Sequence, residues 1–150
     1  MRIFLNGKTP RRLRCEAGLF LIGGAVYNLI ELLWRGRTHW SMFVLGGCCF
    51  HLIGLASRIG RRWPAAARCS LCSLMISAAE FGGGCLVNLS WKMDVWDYSG
   101  LPFNLLGQVC LLYSVLWALL SIPAMPFYRV CRRALSSGEM RVESLFCGKR

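Results

Sequence analysis

Residues 15–34 have the sequence CEAGLFLIGGAVYNLIELLW, an apolar run that carries Tyr27, Asn28 and Glu31 near its end. A helix needs about 20 apolar residues to cross a bilayer, so this run predicts a membrane span. A basic segment with Arg11, Arg12 and Arg14 comes directly before this run, and the two together superficially resemble a signal peptide. No small-x-small cleavage motif follows the run, and its length suits a span. We therefore predict a retained first transmembrane helix.

Three further apolar runs follow, at about residues 40–57, 69–91 and 103–125. The link at 35–39 is very short, so the second span must return antiparallel to the first. Pro64 breaks the helix in the basic loop before the third span, and Pro123 and Pro126 end the fourth span. The predicted fold class is all-α, an integral membrane four-helix bundle with up-down topology. The domain organisation is a basic tail at 1–14, a transmembrane domain at 15–128 and a basic tail at 129–150.

The composition agrees with a membrane protein. Of the 150 residues 55% are hydrophobic and the mean hydropathy is +0.46, which is too apolar for a soluble domain of this length. The net charge of +11 comes from Lys and Arg residues that cluster between the apolar runs. This placement favours anionic lipid headgroups over nucleic acid, so we expect membrane lipids as partners and no nucleic acid.

The Arg-rich segments also predict the orientation. Both tails and the loop at 58–68 are basic, and an even number of spans places all three on the same side of the membrane. Positive charge is concentrated on the cytoplasmic side, so both termini are predicted to be cytoplasmic. The connections at 35–39 and 92–102 then lie together at the outer face.

The cysteines indicate neither a disulfide framework nor a metal site. Their number is odd, and they lie within apolar runs or beside basic loops. Cys69 and Cys72 have the spacing of half a zinc site, but no second Cys or His pair follows at a suitable distance. We expect small buried apolar side chains here, with no metal and no cofactor.

Two groups of polar residues converge at the predicted outer end. The first group is Glu31, Arg35, Arg37, His39 and Trp40, and the second is Asn88, Asp97, Tyr98, Asn104 and Gln108. Glu31 and Arg35 have the spacing and order of a helical ion pair, and Asn104 and Gln108 share one face of the predicted fourth helix. One interpretation is that these residues tie the helix ends together. The other is a binding pocket in which the two arginines hold an anionic group.

Two ionisable residues lie deeper in the predicted membrane. Glu80 is eleven residues before Trp91, and His51 is eleven residues after Trp40 on a helix of opposite direction, so the two share a similar depth. We expect them to be proton-responsive, either facing each other or satisfied separately, because an unpaired carboxylate in lipid is costly.

These residues resemble a known family of small bacterial membrane proteins labelled "Putative ABC-transporter type IV". The resemblance extends over about residues 18–125. It rests on three groups: Glu31 with WRGRTHWSM at 34–42, Glu80 with Gly84 and Asn88, and WDYS at 96–99 with Phe103, Asn104, Gly107 and Gln108. It implies a four-helix protein of the bacterial inner membrane. Transport would require a homo-oligomer or partner membrane subunits, since four spans are few for a permease.

Three functions remain open at this point. The first is a transporter-like component that binds a small anionic or zwitterionic ligand or a lipid headgroup. The second is a membrane enzyme that acts on a lipid or lipid-linked substrate at the outer leaflet, with Glu31, His39 or Asp97 as acid and base. The third is a structural or regulatory subunit. Known nucleophile and phosphate-loop motifs are missing from the sequence, so we lean away from an enzyme.

Overall fold

A computed structural model describes the backbone of residues 8–147 and the side chains of residues 11–137. Four long helices account for most of the chain. They are α1 (Lys8–Arg35), α2 (Trp40–Ile59), α3 (Ala65–Gly84) and α4 (Leu111–Cys147). Four segments within them are long and apolar enough to cross a membrane: Arg11–Arg35, Trp40–Ile59, Ala65–Ser90 and Leu111–Ser137. The predicted all-α class is confirmed.

Local sequence explains where the first two helices begin and end. Gly36 ends α1 at φ +68°, a left-handed conformation that glycine adopts without strain, and its N–H donates to Leu32 O at 2.9 Å. His39 caps α2 because its ring Nδ1 accepts the Ser41 backbone N–H at 3.3 Å. Three residues therefore separate the end of α1 from the cap of α2, which fits the predicted antiparallel hairpin.

Close backbone approach joins α1 to α2. A Cβ at Gly23 would lie 3.0 Å from the backbone oxygen of Gly46, and it would overlap the Cβ of Phe50. Small residues let membrane helices pack at short distance, since lipid-embedded helices associate through van der Waals contact. The α3–α4 contact instead uses hydrogen bonds, from Ser73 Oγ to Ser114 O at 2.5 Å and between the hydroxyls of Ser77 and Ser114 at 2.8 Å.

The fourth span differs from its prediction at both ends. Residues 103–110 form a short hairpin, with β1 (Asn104–Leu105) antiparallel to β2 (Val109–Cys110), and α4 begins only at Leu111. The turn needs positive φ at Phe103, Leu106 and Gly107, which a helix does not allow. At the other end, α4 continues through Pro123 and Pro126 to Cys147, because neighbouring structure tolerates prolines in membrane helices.

The predicted tails are partly helical. α1 already begins at Lys8, within the segment 1–14, and α4 includes most of 129–150. Residues 1–7 and 148–150 lie outside the described part of the chain.

A π-helical segment, Cys85–Ser90, extends α3 towards the loop at 91–110. Val87 and Asn88 are both buried on this segment, and Asn88 points into the loop. π-helical turns are rare and often occur at functional positions. Here the segment brings an amide to the centre of the connection between α3 and α4.

Candidate functional site

A cavity of about 460 Å³ lies between α1 and α4, at the bundle end where residues 36–39 and 91–110 connect the helices. We call it the α1–α4 cavity. Its charged and phenolic side chains are Tyr27, Glu31, Arg35, Glu80, Tyr98 and Tyr113. The rest of the lining is apolar or indole: Ile30, Trp34, Leu116, Trp117, Leu119, Leu120 and Pro123.

The cavity is open towards the outer surface of the bundle. Ile30, Leu116 and Leu119 line it and are also exposed, with 58% of Leu119 accessible. Exposed leucines and isoleucines on apolar helices of this length face lipid when the helices span a bilayer. With the helices spanning a bilayer, the opening between α1 and α4 is therefore lateral and faces the lipid.

Glu80 is the most deeply buried polar group of the cavity, with 3% of its surface accessible. Its Oε1 accepts a hydrogen bond from the Tyr27 hydroxyl at 3.1 Å. Trp117 lies beside the carboxyl, and its indole N–H is buried without a hydrogen-bond partner among the described residues. The Tyr27 and Trp117 rings stack at 5.6 Å between centroids. One carboxyl and two aromatic rings thus form the inner end of the cavity.

Glu31 and Arg35 form the predicted helical ion pair near the end of α1. Arg35 Nη2 lies 2.7 Å from Glu31 Oε1, and the Thr38 hydroxyl donates to Glu31 Oε2 at 3.2 Å. Arg35 Nε is buried and has no hydrogen-bond partner among the described residues. The pair is electrically neutral as a unit, so Arg35 does not present a free positive charge.

Aromatic side chains cover the cavity on the side of the loop. Tyr98 stacks on Tyr113 with ring centroids 4.5 Å apart, and Trp34 Nε1 donates to the Tyr113 hydroxyl at 3.4 Å. Burial raises the pKa of the Tyr98 phenol, and the nearby Glu80 charge raises it further. Tyr98 therefore stays neutral at physiological pH and acts as a hydrogen-bonding group.

The predicted site residues Asn88 and Gln108 do not line the α1–α4 cavity. Asn88 Nδ2 donates to Trp96 O at 2.9 Å and to Gln108 Oε1 at 2.8 Å, while its Oδ1 accepts from Val95 N at 2.8 Å. Trp96 Nε1 donates to Gln108 O at 2.9 Å. We call Asn88, Trp96 and Gln108 the loop network. The loop network holds the loop against the end of α3. These amides therefore have the structural role that the first interpretation gave them, which is to tie helix ends together.

Asp97 and Asn104 have local roles in the same loop. Asp97 accepts the Ser99 backbone N–H and hydroxyl, both at 2.8 Å, and these bonds lower the pKa of the carboxyl. Asn104 Nδ2 donates to Leu101 O at 2.8 Å, and its Oδ1 accepts Gly107 N–H at 3.1 Å. Asn104 and Gln108 therefore share a hairpin rather than the predicted helix face.

Arg37 and His39 lie outside the cavity lining. Arg37 is exposed, and His39 caps α2 through its contact with Ser41. The expectation that Arg35 and Arg37 together hold an anion is not matched by this arrangement. The three acid–base candidates are also separated, because Glu31 pairs with Arg35, His39 contacts Ser41 and Asp97 contacts Ser99.

His51 has a different partner from the one proposed for it. Its Nε2 lies 3.5 Å from Glu16 Oε2, and Arg132 Nη1 lies 3.2 Å from Glu16 Oε1. Arg132 also donates to the Tyr128 hydroxyl at 3.0 Å. These four residues connect α1, α2 and α4, whereas Glu80 bonds to Tyr27. The suggested pair of His51 and Glu80 does not form.

A model of the protein family described as "Putative ABC-transporter type IV" matches residues 20–148. The chain belongs to this family. The match includes all of α2, α3 and the loop at 91–110, and it confirms the resemblance found in the sequence. No curated protein and no solved structure matches the chain. The family description and the four apolar helices together indicate a transporter-type membrane protein.

In this "Putative ABC-transporter type IV" chain, the cavity contains residues that the sequence analysis did not select. On α1, Tyr27 and Trp34 lie on the same helical face as the predicted Glu31, and on α4 Tyr113 and Trp117 are likewise one turn apart. Aromatic residues near a membrane boundary are usually interpreted as interfacial anchors. That interpretation suits the exposed Trp34, Trp40 and Trp91, but not the half-buried cavity rings Tyr27, Tyr98, Tyr113 and Trp117. The sequence pattern that could have identified them is the row of aromatic residues on one face of α4, which packs opposite the polar residues of α1.

Proposed function

We propose that this chain is the membrane-embedded, ligand-binding component of a transport system, and that its ligand is an amphiphilic molecule taken from the lipid phase. The observation that carries the proposal is the α1–α4 cavity, which has polar groups at its inner end and an opening towards lipid. Its volume of about 460 Å³ is within the range of about 300–1,000 Å³ that is usual for small-molecule sites.

A second cavity next to the first suggests the shape of the ligand, which would be elongated. It has a volume of about 200 Å³ and shares Tyr27, Ile30, Trp117, Leu120 and Pro123 with the first. From there it extends between α1, α2 and α4 to Phe127, along an almost entirely apolar lining. A molecule with a polar head at Glu80 and an apolar chain directed towards Phe127 fits both cavities, because each part then meets a surface of its own polarity.

Transport suits this arrangement better than lipid chemistry does. A lateral opening would also admit the substrate of a membrane enzyme, so access alone does not separate the two functions. An acid–base mechanism needs its groups within reach of one substrate. The acid–base candidates Glu31, His39 and Asp97 have separate partners, and only Glu31 lines the cavity. Together with the family description, this favours binding without turnover.

Movement of a ligand across the membrane would then involve further chains. In our proposal the cavity delivers its ligand to an assembly with a second copy or with partner membrane subunits, with both termini in the cytoplasm. Lateral access from the lipid of a bacterial inner membrane would suit a ligand that partitions into the bilayer before it is bound.

Binding of hexylphosphocholine tests the proposal. The full chain would be placed in lipid nanodiscs and titrated by calorimetry, with empty nanodiscs as the blank. Leu120 lines both cavities, so Leu120→Trp fills the space that the ligand needs. We expect a loss of affinity of about tenfold or more, or ~1.4 kcal/mol.

The matched control is Leu112→Trp. Leu112 is on the same helix, is exposed and does not line either cavity. It should bind hexylphosphocholine as the wild type does. Equal binding by wild type, Leu120→Trp and Leu112→Trp would show that the cavity is not the binding site.

A further inference from the structure

The charges of the α1–α4 cavity are not balanced. Three charged side chains line it, and two of them, Glu31 and Arg35, neutralise each other at 2.7 Å. Within the described part of the chain, no ion pair is formed by Glu80. Its contacts are the Tyr27 hydroxyl and the neighbouring Trp117 indole, which are both neutral. An ionised Glu80 therefore gives the cavity a net negative charge.

Lipid surroundings make this imbalance important. Glu80 lies ten residues before the Ser90 end of its span, at a depth of about 15 Å. A carboxylate at such depth is costly unless it has a partner, and ionisable groups in membrane helices commonly mark the path of a substrate or an ion. Glu80 is one of the residues that line the cavity, although only 3% of its surface is accessible.

The other groups around the carboxyl also favour positive charge. Five aromatic side chains line the cavity: Tyr27, Trp34, Tyr98, Tyr113 and Trp117. The faces of aromatic rings carry negative potential and attract ammonium groups, most strongly for indole. Two stacked pairs, Tyr27 with Trp117 and Tyr98 with Tyr113, are each formed between different elements, and all four rings line the cavity. Among the described residues, the cation that lines the cavity is Arg35, and an anionic headgroup would have to compete with Glu31 for it.

We propose that the α1–α4 cavity binds an organic cation, an amine or quaternary ammonium group on an apolar body, with the Glu80 carboxylate as its counter-ion and the aromatic rings around it. This assignment rests on the proposed function and specifies its ligand class. The apolar body lies along Leu120 and Pro123, where the two cavities join.

Three probes with the same hexyl chain test the assignment: hexyltrimethylammonium, hexylphosphocholine and hexyl phosphate. Each is titrated into the full chain in nanodiscs made of zwitterionic lipid, with empty nanodiscs as the blank. We expect the cation to bind about tenfold more tightly than the anion, with the zwitterion between them. This order needs no variant, so it can be measured even if a substitution impairs folding.

Glu80→Gln keeps the size of the side chain and removes its charge. It should lower the affinity for hexyltrimethylammonium by about tenfold and change that for hexylphosphocholine by less than about threefold. Asp94→Asn is the matched control, because Asp94 is exposed in the loop and its replacement changes the net charge equally. It should leave all three affinities unchanged.

The outcomes separate this inference from the proposed function. Preferential binding of hexyl phosphate, or a cation affinity that survives Glu80→Gln, would overturn the cation assignment. If binding is still abolished by Leu120→Trp in that case, the cavity remains the binding site. If Leu120→Trp changes none of the three affinities, the proposed function fails as well.

Discussion

Gly84 leaves the space that the side chain of Gln108 occupies. A Cβ at this position would lie 2.5 Å from Gln108 Oε1 and 2.9 Å from its Cβ, closer than side chains approach one another. Gly84→Ala should therefore push Gln108 away from Asn88. Gly82 provides a matched control on the same helix, because a Cβ there would meet nothing within 4 Å.

The expected loss of stability follows from the contacts of Gln108. Its displacement breaks the bond from Asn88 Nδ2 at 2.8 Å and the bond from Gln108 Nε2 to Leu106 O at 2.9 Å. Each is worth about 1 kcal/mol net, so the two bonds together contribute about 2 kcal/mol, which rises to about 3 kcal/mol where a buried amide is left unpaired. Alanine recovers about 1 kcal/mol through its higher helix propensity. We expect Gly84→Ala to lower the free energy of unfolding by about 1–2 kcal/mol.

Thermal unfolding followed by tryptophan fluorescence measures this effect, because Trp96 belongs to the loop network and its N–H donates to Gln108 O. A chain of this length shifts by about 2–4 °C per kcal/mol, so Gly84→Ala should unfold about 2–8 °C below wild type. Gly82→Ala should unfold at or above the wild-type temperature. If Gly84→Ala were as stable as Gly82→Ala, the loop network would not hold the loop.

Two further predictions concern charged groups outside the cavity. Glu16 contacts Arg132 at 3.2 Å, so a double-mutant cycle of Glu16→Gln and Arg132→Gln, read from unfolding temperatures, should give a coupling of about 0.5–1 kcal/mol; additive effects would exclude the pair. The pKa of Asp97 is lowered by two hydrogen bonds from Ser99, so its carboxylate stabilises the fold above the pKa of the unfolded state. This contribution is lost as the pH falls through the lower folded pKa. At neutral pH the wild type should therefore have a higher unfolding temperature than Asp97→Asn, and in acid the two unfolding temperatures should be equal. A difference in unfolding temperature that stays constant across pH would contradict this.

Features that depend on nearby residues were predictable from the sequence. Helix length and hydropathy predicted the four helices, and the four-residue spacing of Glu31 and Arg35 predicted their ion pair. Both depend on distances within one helix, which the helical repeat determines. The short link at 35–39 likewise determined that α1 and α2 are neighbours.

Features that depend on helix rotation or turn geometry were not predictable in the same way. His51 and Glu80 have similar predicted depths, but depth does not specify which neighbouring helix a side chain faces, and they contact Glu16 and Tyr27 instead. Residues 103–110 are apolar enough to extend a helix. Positive φ values and the hydrogen bonds of Asn104 shape these residues into a hairpin, and the bonds of Gln108 to Asn88 and Trp96 hold that hairpin in place against the hydropathy signal.

The two carboxyls of the α1–α4 cavity illustrate why this distinction matters for function. Glu31 has its cation four residues later in the same helix, so its charge is neutralised wherever α1 forms. Among the described side chains, the contacts of Glu80 from other helices are neutral, namely Tyr27 on α1 and Trp117 on α4. Its charge balance therefore depends on what occupies the cavity. A ligand that brings positive charge would be stabilised at this point and would hold α1, α3 and α4 together, which couples binding to the packing of the bundle.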